Sequence, residues 1–346
     1  MPNHVSWSSI ELLHNVVRTL RHLHDLDGRP LPRVRYRAKV KLHGSNCAVQ
    51  VGADGVHAQS RTQMLTPGSG DYKGFASWAL HTGEAPGGGL RGYFDGLRHG
   101  PISVLGAPRV TVFGEWCGPG VEKGMAVSLV TSKLFAVFGV QVGVGEGARV
   151  VFDPDEVGAI LGTTPEGVHV LPWEGLEFKV DFGSEASLKA AADLVSRAVE
   201  EVEKRDPWVH RTFGIDGLGE GLVLYPVEVD GVLPACDPES LARLMWKAKG
   251  EKHRVAGARQ AAQVDATVAS GVDGFVTLMV TDARLEQGLA ACGGDRHPKG
   301  TGRFLSWVSD DVRKESVAEL EASGLTWDLV SKAVQVRART WFLSSS

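Results

Sequence analysis

From residue 34 to residue 43 apolar and polar side chains alternate without a break. Val34, Tyr36, Ala38, Val40 and Leu42 hold one parity; Arg35, Arg37, Lys39, Lys41 and His43 hold the other. A period of two predicts a β-strand with one face in a core. Its opposite face here is cationic. Strands are predicted again at 46–52 and 56–62 around the turn Ala53-Asp54-Gly55, and such strand–turn–strand runs predict antiparallel hairpins. Residues 108–117, 133–140, 220–229 and 244–249 read as further strands.

Helical spacing appears at 8–26, through Ile10, Leu13, Val16, Val17 and Leu20. It is clearest at 184–205, where Leu188, Ala191, Val195, Ala198 and Val202 recur and Pro207 follows the end. Residues 66–103 are glycine-rich and read as a surface insertion with a short helix around 75–80. After residue 250 the pattern turns mostly helical, so a domain boundary is placed there, giving 1–250 and 251–346.

Composition narrows the class. The chain of 346 residues is long enough for two domains, and 43% hydrophobic with 23% charged residues describes an ordinary globular protein. No apolar run approaches the length of a membrane span. The N-terminus lacks a basic region followed by an apolar stretch, so no signal peptide is expected. Cys47, Cys117, Cys236 and Cys292 are scattered, which disfavours a zinc module and a disulfide framework. A reduced, cytoplasmic protein is expected. A net charge of −4 gives no global attraction to nucleic acid, so a polyanion must find a local basic patch.

The chemistry concentrates where the first strand ends, in Lys-Leu-His-Gly-Ser-Asn (41–46). Gly44 allows close backbone approach beside Lys41 and His43, and Asn46 adds a neutral donor and acceptor. Lys247 and Lys249, two apart on a strand, point the same way; such a pair is ordinarily a wet strand edge. Glu115 stands in the apolar run Phe113-Gly114-Glu115-Trp116-Cys117, where a buried carboxylate needs a partner.

Together these segments resemble ATP-dependent RNA ligases, most nearly the bacteriophage-type nick-joining ligases and the RNA-editing ligases. Lys-Leu-His-Gly-Ser-Asn is similar to their nucleotidyl-acceptor motif. In order there follow Ser-Arg-Thr (60–62), Phe-Gly-Glu-Trp-Cys-Gly (113–118), Gly-Val-Glu-Lys-Gly (120–124), Leu-Phe-Ala-Val-Phe (134–138), Glu-Gly-Leu-Val (220–223) and Trp-Lys-Ala-Lys (246–249). Val40 stands where the phage-type ligases carry an acidic residue. A second resemblance covers 278–316, which is similar to the helical domain appended to the phage-type ligase.

The resemblance implies an α+β fold: an antiparallel-sheet nucleotidyltransferase (ATP-grasp-like) domain with a small helical C-terminal domain. It implies RNA ligation, the joining of 3′-hydroxyl and 5′-phosphate ends, at nicks in duplex. Lys41 would take AMP from ATP, with Arg61, Lys247 and Lys249 supplying positive charge around the phosphates. His43, Gly44, Asn46, Glu115 and Phe138 would bind the nucleotide, Glu115 through the ribose and Phe138 by stacking on adenine. Phe135 faces the other way and is assigned to the core. Glu220 would hold Mg²⁺, with Mn²⁺ able to substitute, and Arg284, Asp311 and Glu315 would support sealing. RNA is the implied partner, gripped by a basic surface that includes Lys249, Lys252 and Arg254; no membrane or obligate protein partner is implied. A lysine nucleophile must attack uncharged, and an ordinary lysine is only about a thousandth neutral at pH 7.4, so surrounding cations have a clear task. The rival readings are a capping-type GTP transferase and a catalytically silent RNA-binding module on the same fold.

Overall fold

The computed structural model describes residues 3–7, 10–68, 70–82, 89–99, 106, 109–234 and 236–250, and in the C-terminal part 272, 275–276, 279–280, 282–293, 296–297, 300–315, 320 and 325–343. By contacts the chain divides into two compact units, Met1–His253 and Arg254–Ser346.

In the first unit the elements run α1 (Leu13–Asp27), β1 (Arg33–Lys41), β2 (Ser45–Gly52), β3 (Gly55–Ser60), β4 (Met64–Leu65), α2 (Phe75–Ala79), α3 (Gly89–His99), β5 (Arg109–Cys117) and β6 (Leu134–Val142). They continue through β7 (Arg149–Val151), α4 (Pro154–Leu161), β8 (Val168–Val170), β9 (Glu174–Asp181), α5 (Glu185–Lys204), α6 (Pro207–Phe213), β10 (Gly221–Val229), α7 (Pro238–Leu244) and β11 (Trp246–Lys249). Two sheets result, one ordered β11-β10-β1-β9 and the other β4-β3-β2-β5-β6-β7. Every pairing between these strands is antiparallel except β8 beside β6. This is the expected α+β architecture.

Packing follows the periodicities. Val34, Tyr36 and Ala38 of β1 meet Ala191, Val195 and Val199 of α5 behind the smaller sheet. Ser184 caps α5 by accepting a hydrogen bond from Ser187 N–H. Between the sheets, Val40 and Leu42 pack with Phe113, Ala136 and Phe138. The outer face of the larger sheet is covered by α2, α3 and α4 through Phe75, Phe94, Leu97 and Val157.

Several expectations are corrected. Within 66–103, the described helices α2 and α3 are no surface insertion, because Phe75, Ala76, Ala79 and Phe94 are fully buried against the larger sheet. The first helix starts at Leu13, since Glu11 is engaged by Trp246 in a β-bridge and accepts from Lys247 N–H at 2.8 Å. Leu244 ends α7, so β11 is shorter than the predicted strand.

The cationic face of β1 divides. Because β1 is central in its sheet, Arg35 pairs with Glu228 of β10 and Glu177 of β9, both at 2.9 Å. Arg37 lies 3.6 Å from Glu177 and stacks over Trp173. Lys39 is 1% exposed and donates to the Phe138 carbonyl at 3.0 Å, its ammonium 5.1 and 5.3 Å from the Trp173 and Tyr225 rings. Of the strand's cations, Lys41 lines the cleft described below.

In the second unit α8 (Asp282–Ala291), α9 (Thr301–Glu315) and α10 (Trp327–Leu343) enclose a core of Leu285, Phe304, Val308, Val330, Val334 and Phe342. No helix among the described residues is long and apolar enough to cross a membrane.

Candidate active site

Strand register assembles the site. Lys41, the last residue of β1, pairs with Gly221, the first of β10; Gly221 in turn pairs with Lys249, the last of β11. Glu220, one residue before that line, therefore lies beside both lysines. Gly221 has φ +149°, and a Cβ there would stand 2.1 Å from the Ala248 carbonyl oxygen, so only glycine lets β11 approach this closely.

Glu220 is the hub. It is 2% exposed, and its Oε2 accepts from Lys41 Nζ at 2.8 Å while its Oε1 is 2.7 Å from Lys249 Nζ. His43 Nδ1 lies 3.5 Å from Oε2. Burial alone would raise the Glu220 pKa, but the contacts from His43, Lys41 and Lys249 outweigh it and hold the carboxyl well below the usual range.

A cleft of roughly 500 Å³ opens above this hub, and Lys41, Gly44, Asn46, Arg61, Glu115, Phe138, Lys247 and Lys249 all line it. Eight of the residues predicted between positions 41 and 249 thus line one cleft, while Arg284, Asp311 and Glu315 belong to the second unit. Gly44 turns β1 into β2 so tightly that a Cβ would lie 2.5 Å from the Trp116 carbonyl oxygen and 2.9 Å from Glu115 Cγ. Asn46 pairs with Glu115 across β2 and β5. Burial, reinforced by the charge on Glu220 and opposed by Lys41 and His43, pushes the Glu115 pKa up to about 7. Burial and the charges of Lys249 and Lys41 lower the Lys247 pKa. Arg61, just past β3, is exposed at the mouth.

Part of the cleft lining is apolar. Phe138 lines it from β6, with Val40, Leu171, Val223 and Tyr225 nearby. Phe135 is buried in the core behind, as its parity predicted. Sequence reasoning missed Trp7, which lines the same wall with its ring 5.0 Å from Phe138 and 5.1 Å from Phe113. Trp7 carries no periodic signal, since residues 3–7 belong to no helix or strand. Glu122, within the predicted Gly-Val-Glu-Lys-Gly segment, lines the rim and is paired with Lys73.

The donor set suits a hard cation. Among the described residues no group of three or more His, Cys, Asp or Glu side chains can hold a metal alone. Mg²⁺ needs no such cage: it keeps several waters and takes one or two carboxylates together with phosphate oxygens. Glu220 and Glu115, close enough for their charges to interact, offer that pair.

In the second unit Arg284 of α8 meets Asp311 of α9, Nε to Oδ2 3.1 Å, and also donates to the Met279 carbonyl at 2.8 Å. Glu315 ends α9 four residues beyond Asp311; its side chain lies outside the described residues, as do Lys252 and Arg254.

A family model described as RNA ligase matches residues 34–235. Among solved structures the chain is similar to Naegleria gruberi RNA ligase, in a mutant apo form at 13% identity and TM-score 0.44, covering 73% of this chain and 58% of that one. A mutant of that ligase with ATP and Mn gives 14% identity, TM-score 0.44 and coverage of 73% and 57%. The same ligase with PPi gives 14%, 0.42, 73% and 58%. The matched part thus spans under two thirds of those ligases' length. No curated protein matches the sequence.

Proposed function

The chain belongs to the RNA ligase family, and from that membership we propose an ATP-dependent ligase that joins RNA 3′-hydroxyl and 5′-phosphate ends through a lysyl-AMP at Lys41. The observation that carries the reading is the placement of Lys41 Nζ against the Glu220 carboxylate at the floor of a cleft whose other cations are Lys247, Lys249 and Arg61.

The neutral Lys41 amine attacks the α-phosphorus of ATP; the N–P bond forms, the bond to the β-phosphate oxygen breaks, and pyrophosphate leaves. Lys247, Lys249 and Arg61 stabilise the charge that develops on the phosphates without reorganising at the moment of reaction. Phe138 offers its ring to the adenine, and Glu115 and Asn46 offer polar groups to the ribose and the phosphate edge. Mg²⁺ or Mn²⁺ held by Glu220 and Glu115 would add charge neutralisation at the phosphates. AMP then passes from Lys41 to an RNA 5′-phosphate, and the 3′-hydroxyl displaces it as the phosphodiester forms. Arg284, Asp311 and Glu315 of the helical unit are assigned to these later steps.

The test is sealing of a nicked RNA duplex whose 5′-phosphate is labelled, with ATP and with GTP. Conversion of the label to a phosphatase-resistant form with ATP supports the reading. No sealing of any 5′-phosphate end with ATP would sink it.

A further inference from the structure

A second groove of about 950 Å³ runs behind β11, between α1 and α5. Lys247 and Lys249 line both this groove and the nucleotide cleft, so the two cavities meet at the edge strand. From α1 come Arg18, Arg21 and Asp25, which share a helix face by their spacing, and from α5 comes Lys189. All four are exposed. Arg21 makes one ion pair in the structure, 3.8 Å to Glu185, a carboxylate whose side chain is 91% exposed; in water such a pair holds its arginine weakly. The groove lining therefore holds five Lys and Arg side chains and one carboxylate, Lys249 being also paired from the other side with the buried Glu220, in a chain whose net charge is −4.

We propose that this groove is the bed of the RNA: the sugar–phosphate backbone beside the joint lies along α1, reaching Lys249 from behind while the nucleotide occupies the cleft in front. The proposal rests on the ligase reading for its choice of polyanion. Charge complementarity and continuity with the cleft support it. An extended backbone presents a row of phosphates to a row of cations, and its riboses can cover the groove's apolar floor of Val17, Leu188 and Val195. The groove has no buried carboxylate hub like Glu220, its one carboxylate Asp25 being exposed, so it reads polyanion rather than a second nucleotide.

The full chain is titrated against a nicked RNA duplex over a salt series, as wild type and as the triple variant Arg18→Gln, Arg21→Gln, Lys189→Gln. Each phosphate contact contributes about 0.9 to the log–log salt slope, so the triple variant should lose about 2–3 of slope and bind at least roughly tenfold more weakly at low salt. Asp25→Lys should steepen the slope by about 0.9 and tighten binding; it decides the matter if the triple variant does not fold. Unchanged slope and affinity in either folded variant overturns the groove, as does equal binding of the wild type to an acidic peptide. Labelling of the wild type with α-labelled ATP is read in the same samples. Groove-dependent RNA binding without any label would overturn the ligase reading and leave the groove standing.

Discussion

Lys41 Nζ and Glu220 Oε2 stand 2.8 Å apart at the floor of the cleft, and the other oxygen of that carboxylate is 2.7 Å from Lys249 Nζ. One buried carboxylate therefore keeps two cations of the site together and aims the first along β1 into the cleft. In the proposed reaction the attacking amine must be released from it, so Glu220 would hold Lys41 before the chemistry and would be free to take a metal on the phosphate side during it.

Glu220→Gln should destabilise the protein by on the order of 2 kcal/mol, less than the about 3–5 of a fully dry pair because both lysines keep contact with water. The Glu220 pKa is depressed in the fold, so its contribution is present above the ordinary carboxylate value, about 4.3, and is lost as pH falls toward the folded value. Melting curves of wild type and variant should differ steadily from pH 8 to about 5 and converge in more acid solution. A gap that persists undiminished at pH 3 would contradict the carboxylate's role as hub.

Glu115 has the opposite sign. Its pKa is pushed up to about 7, so the folded state is favoured most below the unfolded value and loses stability as pH rises toward 7 and beyond. Glu115→Gln should melt above wild type at pH 8, and the difference should close near pH 4. The same substitution should weaken ATP use in self-adenylation. Stabilisation that does not vary with pH would show that packing, not charge, is responsible.

Lys39 gives a third pH signature. Burial, partly offset by Asp153, lowers its pKa to about 7, so between about pH 7 and 10 the unfolded chain binds the extra proton and folding gains stability as pH rises. The melting temperature of wild type minus that of Lys39→Met should therefore grow from pH 6.5 to 9. In activity Lys39→Met should act through Phe138, whose carbonyl loses its donor. A difference that stays flat over that range would mean Lys39 stays charged in the fold.

Much of the site was legible because its signals are local. Lys-Leu-His-Gly-Ser-Asn, Glu220 and the Lys247–Lys249 pair lie at strand ends, and period-two spacing places such ends once strands are assigned. Parity could not distinguish Lys39 from Lys41: both point the same way, and only the Trp173 and Tyr225 rings decide that the first is buried. Trp7 was invisible for a related reason, since its partners Phe113 and Phe138 lie more than a hundred positions away and its own segment has no period. The helix α3 was hidden by its glycine-rich surroundings, although Phe94 and Leu97 are spaced for one buried face.

Trp7→Ala removes aromatic contacts with Phe138 and Phe113, each worth about 0.5–1.5 kcal/mol. The wall around Phe138, proposed to take the adenine, should loosen, raising KM for ATP in self-adenylation by roughly 2- to 10-fold with kcat little changed. A loss confined to kcat would place Trp7 outside the base-binding wall.

Covalent adenylation of Lys41 is the step on which the proposed ligase activity depends. Wild type and Lys41→Ala are incubated with α-labelled ATP and Mg²⁺, denatured and separated on a gel. Label is expected on the wild-type chain that survives alkali and is released by acid, as a phosphoramidate requires, and none on Lys41→Ala. Equal labelling of the two, or none on a wild type that is folded, would contradict the proposed step.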